Sequence, residues 1–133
     1  MDAVEGWWIF PGFRLELVAT GLHKPVNVAV SQRRDGPMLY VSELYGRIRY
    51  VTRDCKVGTF AEGLLNYEPD YVLPGSGESG VSGLCVDPSS GDVFCSMLYL
   101  QDGKPFSKVV RMSTADGMKA DDTVTILDGV PST

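Results

Sequence analysis

Val81-Ser82-Gly83-Leu84-Cys85-Val86, with Asp87-Pro88-Ser89-Ser90-Gly91-Asp92 and Val93-Phe94-Cys95-Ser96 after it, decides the fold, because the same order has already occurred once upstream. There Val26, Val28 and Val30 alternate, Arg34-Asp35-Gly36-Pro37 makes a turn, and Leu39-Tyr40-Val41-Ser42 returns. Period-two alternation marks half-buried strands, and Gly, Pro, Asp and Ser between two such runs mark the reversal. The parallel continues outward. Tyr45-Gly46 turns into Arg47-Ile48-Arg49-Tyr50-Val51, a strand with Ile48 and Tyr50 on one face and Arg47 and Arg49 on the other. Gly58-Thr59-Phe60-Ala61 follows as a fourth strand, and in the second half Lys108–Met112 and Val124–Val130 take these two places. No segment keeps helical spacing over the roughly ten residues a helix needs.

Units of about 40–50 residues with four antiparallel strands each are the pattern of propeller blades. The expected fold is therefore all-β, a β-propeller fragment of two four-stranded antiparallel blades. The first blade spans about 12–66 and the second 75–133, with no separate second domain. Two meanders packed as one sandwich would use the same strands, but a sandwich supplies no reason for the self-similarity. Propellers close with roughly 4–8 blades, so two blades leave the ring open and the remaining blades are the first expected partner.

Composition narrows the function classes. Hydrophobic residues make up 44% of the 133 and charged residues 22%, a globular balance. Twelve Lys and Arg against seventeen Asp and Glu leave a formal charge of -5, and the longest basic run is Arg33-Arg34 in a turn. A nucleic-acid or anionic-membrane partner is disfavoured. Met1–Gly6 carries acidic residues where a signal peptide would be basic, and no apolar run has the length of a membrane span. Cys55, Cys85 and Cys95 show no CxxC spacing and accompany a single histidine, which speaks against structural zinc.

Pro11-Gly12-Phe13-Arg14, Val18-Ala19-Thr20-Gly21-Leu22, Leu39-Tyr40-Val41-Ser42-Glu43, Gly46-Arg47-Ile48 and Gly77-Glu78-Ser79-Gly80-Val81-Ser82-Gly83-Leu84, in this order and spacing, resemble the glucose/sorbosone dehydrogenase family. These are soluble six-bladed propellers that use pyrroloquinoline quinone (PQQ), and the resemblance covers nearly the whole chain. It implies a sugar substrate, hydride transfer to the quinone assisted by a histidine base, calcium polarising the cofactor, and a periplasmic or secreted setting. The family's catalytic histidine falls just beyond Gly129-Val130-Pro131, past the end of this chain, so no catalytic residue is assigned and the chain alone is expected to be inactive. His23 does not match that position and reads as a loop histidine.

Glu78 falls where the family places a Gln or Glu beside the quinone. Gly77 and Ser79, with Gly80, would let the backbone come close to a ligand there. An ionised Glu78 needs calcium or arginine beside it to face an anionic cofactor, which the other blades would supply. No metal ligand is assigned within the chain. Two other classes stand beside the dehydrogenase: a propeller that binds without turnover, and a lactonase-type hydrolase with calcium in the central channel. A histidine soon after Thr133 and later arginines would favour the dehydrogenase.

The remaining residues of interest read as structure. Glu43 and Arg47 form a surface ion pair across a turn, worth roughly 0–1 kcal/mol. Asp87-Pro88 and Asp121-Asp122 are turn residues. Cys85 aligns with Ala29 and Cys95 with Val41 in the repeat, so both are expected to be buried free thiols. They lie nearly symmetrically about Ser90, which would bring them opposite on paired strands, but few such pairs meet disulfide geometry.

Overall fold

The computed structural model describes residues 2–3, 6–68 and 79–132. Every regular element among them is a strand. Strands β1 (Asp2–Ala3) and β2 (Glu16–Leu17) form a short ribbon. Strands β3 (Pro25–Val30), β4 (Leu39–Glu43), β5 (Arg47–Val51) and β6 (Val57–Ala61) make one four-stranded antiparallel sheet in sequential order. Strands β7 (Val81–Val86), β8 (Val93–Gln101), β9 (Lys104–Ser113) and β10 (Asp122–Pro131) make a second with the same topology. The two sheets are the two expected blades.

The registers repeat as closely as the sequence does. Val30 pairs with Leu39 and Leu39 with Val51 in the first blade, as Val86 pairs with Val93 and Val93 with Met112 in the second. Even the irregularity in the innermost strand recurs, between Pro25 and Asn27 and between Val81 and Leu84. One element departs from the sequence reading: β8 and β9 run past Ser96 and Lys108 to a hairpin tip at Asp102-Gly103. Both tip residues have positive φ, 51° and 73°, the conformation that lets a two-residue turn match the strand twist. Asp-Gly is the residue pair that favours it, a signal the period-two reading passed over. Tyr99 stacks on Phe106 across this hairpin at 5.9 Å.

One face of each sheet packs against the other. Tyr40, Ile48 and Phe60 of the first blade meet Val93, Cys95, Met97, Val110 and Met112 of the second, all buried. Each such side chain contributes about 1.5–3 kcal/mol by leaving water. Polar contacts fix the angle of approach: the Tyr40 hydroxyl donates to Gly117 O at 2.7 Å, and the Arg33 guanidinium donates to Thr114 O and Ala115 O at 2.7 Å each.

The cysteines correct one expectation. Cys95 is buried, but Cys85 is exposed. In the observed register Cys85 faces Phe94 while Leu84 faces Cys95, so the two thiols sit one residue out of register and point to opposite faces of the sheet. Cys85 does occupy the position of Ala29, but Ala29 lies on the packed face of its blade whereas Cys85 lies on the face turned away from the first blade. All three thiols are free.

Burial pushes the Cys95 thiol up to about 12, with the Cys85 thiol adding to the shift, and burial likewise pushes the Tyr40 hydroxyl up to about 12. At about pH 8 only on the order of 10⁻⁴ of Cys95 is then thiolate, the reactive form. Labelling of the folded chain is expected to leave Cys95 unmodified until denaturant is added. Both groups keep their protons longer folded than unfolded, so their contribution is whole below the ordinary 9.0 and 10.0 and is lost as pH climbs towards 12. Urea midpoints measured from neutral to alkaline pH should fall in that window. Rapid native labelling of Cys95 would contradict the packing described.

Candidate functional site

The antiparallel registers bring four features to one end of the two sheets: the entry to β3 at His23-Lys24, the β4–β5 turn, the entry to β7 at Ser79-Gly80, and the β8–β9 hairpin. Asn66 ties the chain leaving the first blade to that hairpin, donating to Leu100 O at 2.8 Å and accepting from Leu100 N at 3.0 Å.

Glu43 is its centre, and its setting overturns the surface-pair expectation. The side chain is fully buried. One carboxylate oxygen lies 2.7 Å from Arg47 Nε, while the other lies 3.8 Å from Arg49 Nη1 and accepts from the His23 backbone N at 2.6 Å. Alternation along β5 places Arg47 and Arg49 on the same face, opposite Glu43 and Val41 of β4. In the second blade the position of Glu43 belongs to Met97 and that of Arg49 to Val110. A carboxylate at a core-type position of the repeat, with two arginines on its face, was the available signal.

Around this pair the surface is cationic. Lys24 donates to the Tyr45 hydroxyl and lies over the Tyr45 ring at 4.4 Å, and the exposed His23 ring sits 5.5 Å from the same ring. Among the described residues, Lys24, Arg47 and Arg49 stand here with Glu43. Glu43 is occupied by two guanidiniums and a backbone amide, which makes it an organiser of cations. The arrangement suits an anionic group.

Of the residues expected beside a cofactor, Gly77 and Glu78 lie outside the described residues. Ser79 is described and buried at the start of the second blade. Gly80 does make a close approach, but to protein: a Cβ there would overlap the Leu44 carbonyl oxygen. Val81 N donates to that same oxygen at 3.1 Å. Among the described residues no group of three or more His, Cys, Asp or Glu gathers as a metal site.

No protein-family model matches the chain. An uncharacterized protein of Archaeoglobus fulgidus is 38% identical over 47 residues, which is 35% of this chain and the whole of that protein. Among solved structures, the PQQ-bound aldose sugar dehydrogenase of Streptomyces coelicolor superposes with a TM-score of 0.62 at 26% identity, over 88% of this chain and 34% of that one. The soluble aldose sugar dehydrogenase of Escherichia coli, in its apo form, gives 0.62 at 20% identity over 85% and 32%. A glucose dehydrogenase gives 0.61 at 21% over 81% and 30%. The chain thus spans about a third of the length of these structures, and its fold is that of a two-blade portion of a propeller like theirs.

Proposed function

We propose that the chain supplies two blades, 12–66 and 75–133, of a PQQ-dependent sugar dehydrogenase, with Glu78, Gly77 and Ser79 beside the cofactor. The observation that carries this is the likeness to the PQQ-bound Streptomyces coelicolor enzyme over most of this chain. The donor set fits the group, since PQQ is a polycarboxylate and, among the described residues, the blade end that begins β7 bears Lys24, Arg47 and Arg49 around the buried carboxylate of Glu43. When bound, the quinone accepts the hydride of a sugar carbon. This chain's part is to hold and orient: Lys24 and His23 present charge and hydrogen-bond donors, and the Gly80–Leu44 contact sets where Ser79 stands. The base and the calcium ligands are assigned to other blades.

Three expected results follow. The monomeric chain, supplied with PQQ, calcium and a panel of aldoses under anaerobic dye reduction, shows no turnover, because general base catalysis worth about 10²–10⁴-fold is absent. Grafted in place of the matching blades of the Streptomyces coelicolor enzyme, it supports PQQ-dependent aldose oxidation. Glu78→Ala in that chimera weakens PQQ binding about tenfold, or about 1.4 kcal/mol. Turnover by the monomer, or a folded chimera that neither binds PQQ nor turns over, overturns the proposal.

A further inference from the structure

Two tyrosines hold matching places in the repeat. Tyr45 stands two residues past Glu43, and Tyr99 two past Met97, the residue at the position of Glu43. Each lies under a lysine, Tyr45 with Lys24 at 4.4 Å from its ring centroid and Tyr99 with Lys108 at 5.3 Å. The Tyr99 hydroxyl is hydrogen-bonded to the carboxylate of Asp128 on β10. The Tyr45 hydroxyl accepts from the Lys24 ammonium, so its own O–H is left to donate, and among the described residues it meets no carboxylate. An ammonium that donates to a hydroxyl polarises it, which strengthens the bond the hydroxyl gives in turn. Three contacts fix the loop that brings Lys24 and His23 to Tyr45. Buried Glu43 accepts from His23 N at 2.6 Å, Lys24 O accepts from Leu44 N at 3.0 Å, and the His23 ring packs 5.5 Å from the Tyr45 ring. Lys24 has a φ of 47°, a left-handed conformation that lysine seldom adopts and that the surrounding contacts must hold.

We infer that Tyr45, Lys24 and His23 form a carboxylate-binding site, in which a ligand's carboxylate does for Tyr45 what Asp128 does for Tyr99, and that Glu43 is its positioning residue. The carboxylate accepts from the Tyr45 hydroxyl, lies beside the Lys24 ammonium and has the exposed His23 ring as a further donor. Two ligands supply that group: the quinone cofactor, or a sugar that is itself an acid, such as a hexuronate. Naming these two rests on the function proposed above. Glu43 reaches the ligand only through the loop, by holding the His23 amide. The second blade gives the contrast, since Met97 at the position of Glu43 offers no acceptor and Gly80 at the position of Lys24 offers no side chain.

Isothermal titration of the full chain with PQQ, with glucuronate and with glucose tests the site without any turnover. A carboxylate ligand is expected to bind one to one and glucose not to bind at the same concentrations, while Tyr45→Phe and Lys24→Met each weaken the binding about tenfold. Arg34→Met, which removes the same charge from the exposed turn at the opposite end, leaves it unchanged. Glu43→Met combined with Arg49→Val keeps the net charge and weakens binding about tenfold by releasing His23 N, whereas the conservative Glu43→Gln keeps an acceptor there and retains the binding. Circular dichroism confirms that each variant is folded. PQQ bound without glucuronate identifies the cofactor as the source of the carboxylate. Glucuronate bound without PQQ identifies the substrate, and counts against the cofactor assignment while the site stands. A chain that binds neither up to about 10 mM, that binds glucose equally well, or whose Tyr45→Phe and Lys24→Met forms bind as the parent does overturns the site. Unchanged binding by the Glu43→Met, Arg49→Val variant overturns the role of Glu43.

Discussion

Glu43→Ala lowers the stability of the chain by about 2–4 kcal/mol, read as a fall of roughly 1–2 M in the urea midpoint. Removing one partner of a buried ion pair typically costs about 3–5 kcal/mol because the other charge is left unpaired. The arginine side chains are 40% and 18% exposed, so water recovers part of that penalty. The His23 amide loses its acceptor as well. The repeat provides the control, since the second blade holds Met97 and Val110 at the positions of Glu43 and Arg49. Glu43→Met combined with Arg49→Val is expected to recover at least half of the loss, because no buried charge is then stranded. A Glu43→Ala midpoint within about 0.5 kcal/mol of the parent would show that the network carries little stability. The double variant removes one charge of each sign, so the net positive charge of that end is unchanged.

Gly80→Ala is the second large effect, with an expected cost of about 2–3 kcal/mol. The added methyl would overlap the Leu44 carbonyl oxygen and come within 3.0 Å of Leu44 Cδ1. Backbone atoms cannot step aside as a side-chain tip does, so the entry to β7 must separate from the β4–β5 turn. One hydrogen bond crosses that seam, Val81 N to Leu44 O, while Leu98 N to Gly80 O ties the glycine to its own blade, each 3.1 Å. The first blade shows why the glycine belongs here. Lys24 makes the corresponding bond, its carbonyl accepting from Leu44 N at 3.0 Å, yet it carries a long side chain because no blade within this chain packs on that side. Denaturant midpoints of Gly80→Ala and Gly80→Ser should both fall, with serine no better than alanine. An unchanged Gly80→Ala would mean that the two blades do not meet at this seam.

The all-β class, the strand order and the two-blade repeat were legible in the residues, since period-two alternation and turn chemistry act within a few positions of each other. The faces of β5 were legible for the same reason, with Ile48 and Tyr50 on one side and Arg47 and Arg49 on the other. Glu43 was placed beside Arg47, but its burial was not, because depth depends on what covers a strand and not on its own alternation. Cys85 and Ala29 hold the same position in the repeat, and only the packing of one blade on the next decides that alanine is covered and cysteine is not. Gly80 read as room for a ligand until the Leu44 carbonyl was found against it. What the sequence determined by itself was local periodicity, which specifies each blade. The tertiary structure alone decided which faces meet and which charges lose water, because those are set by contacts between residues far apart in the chain.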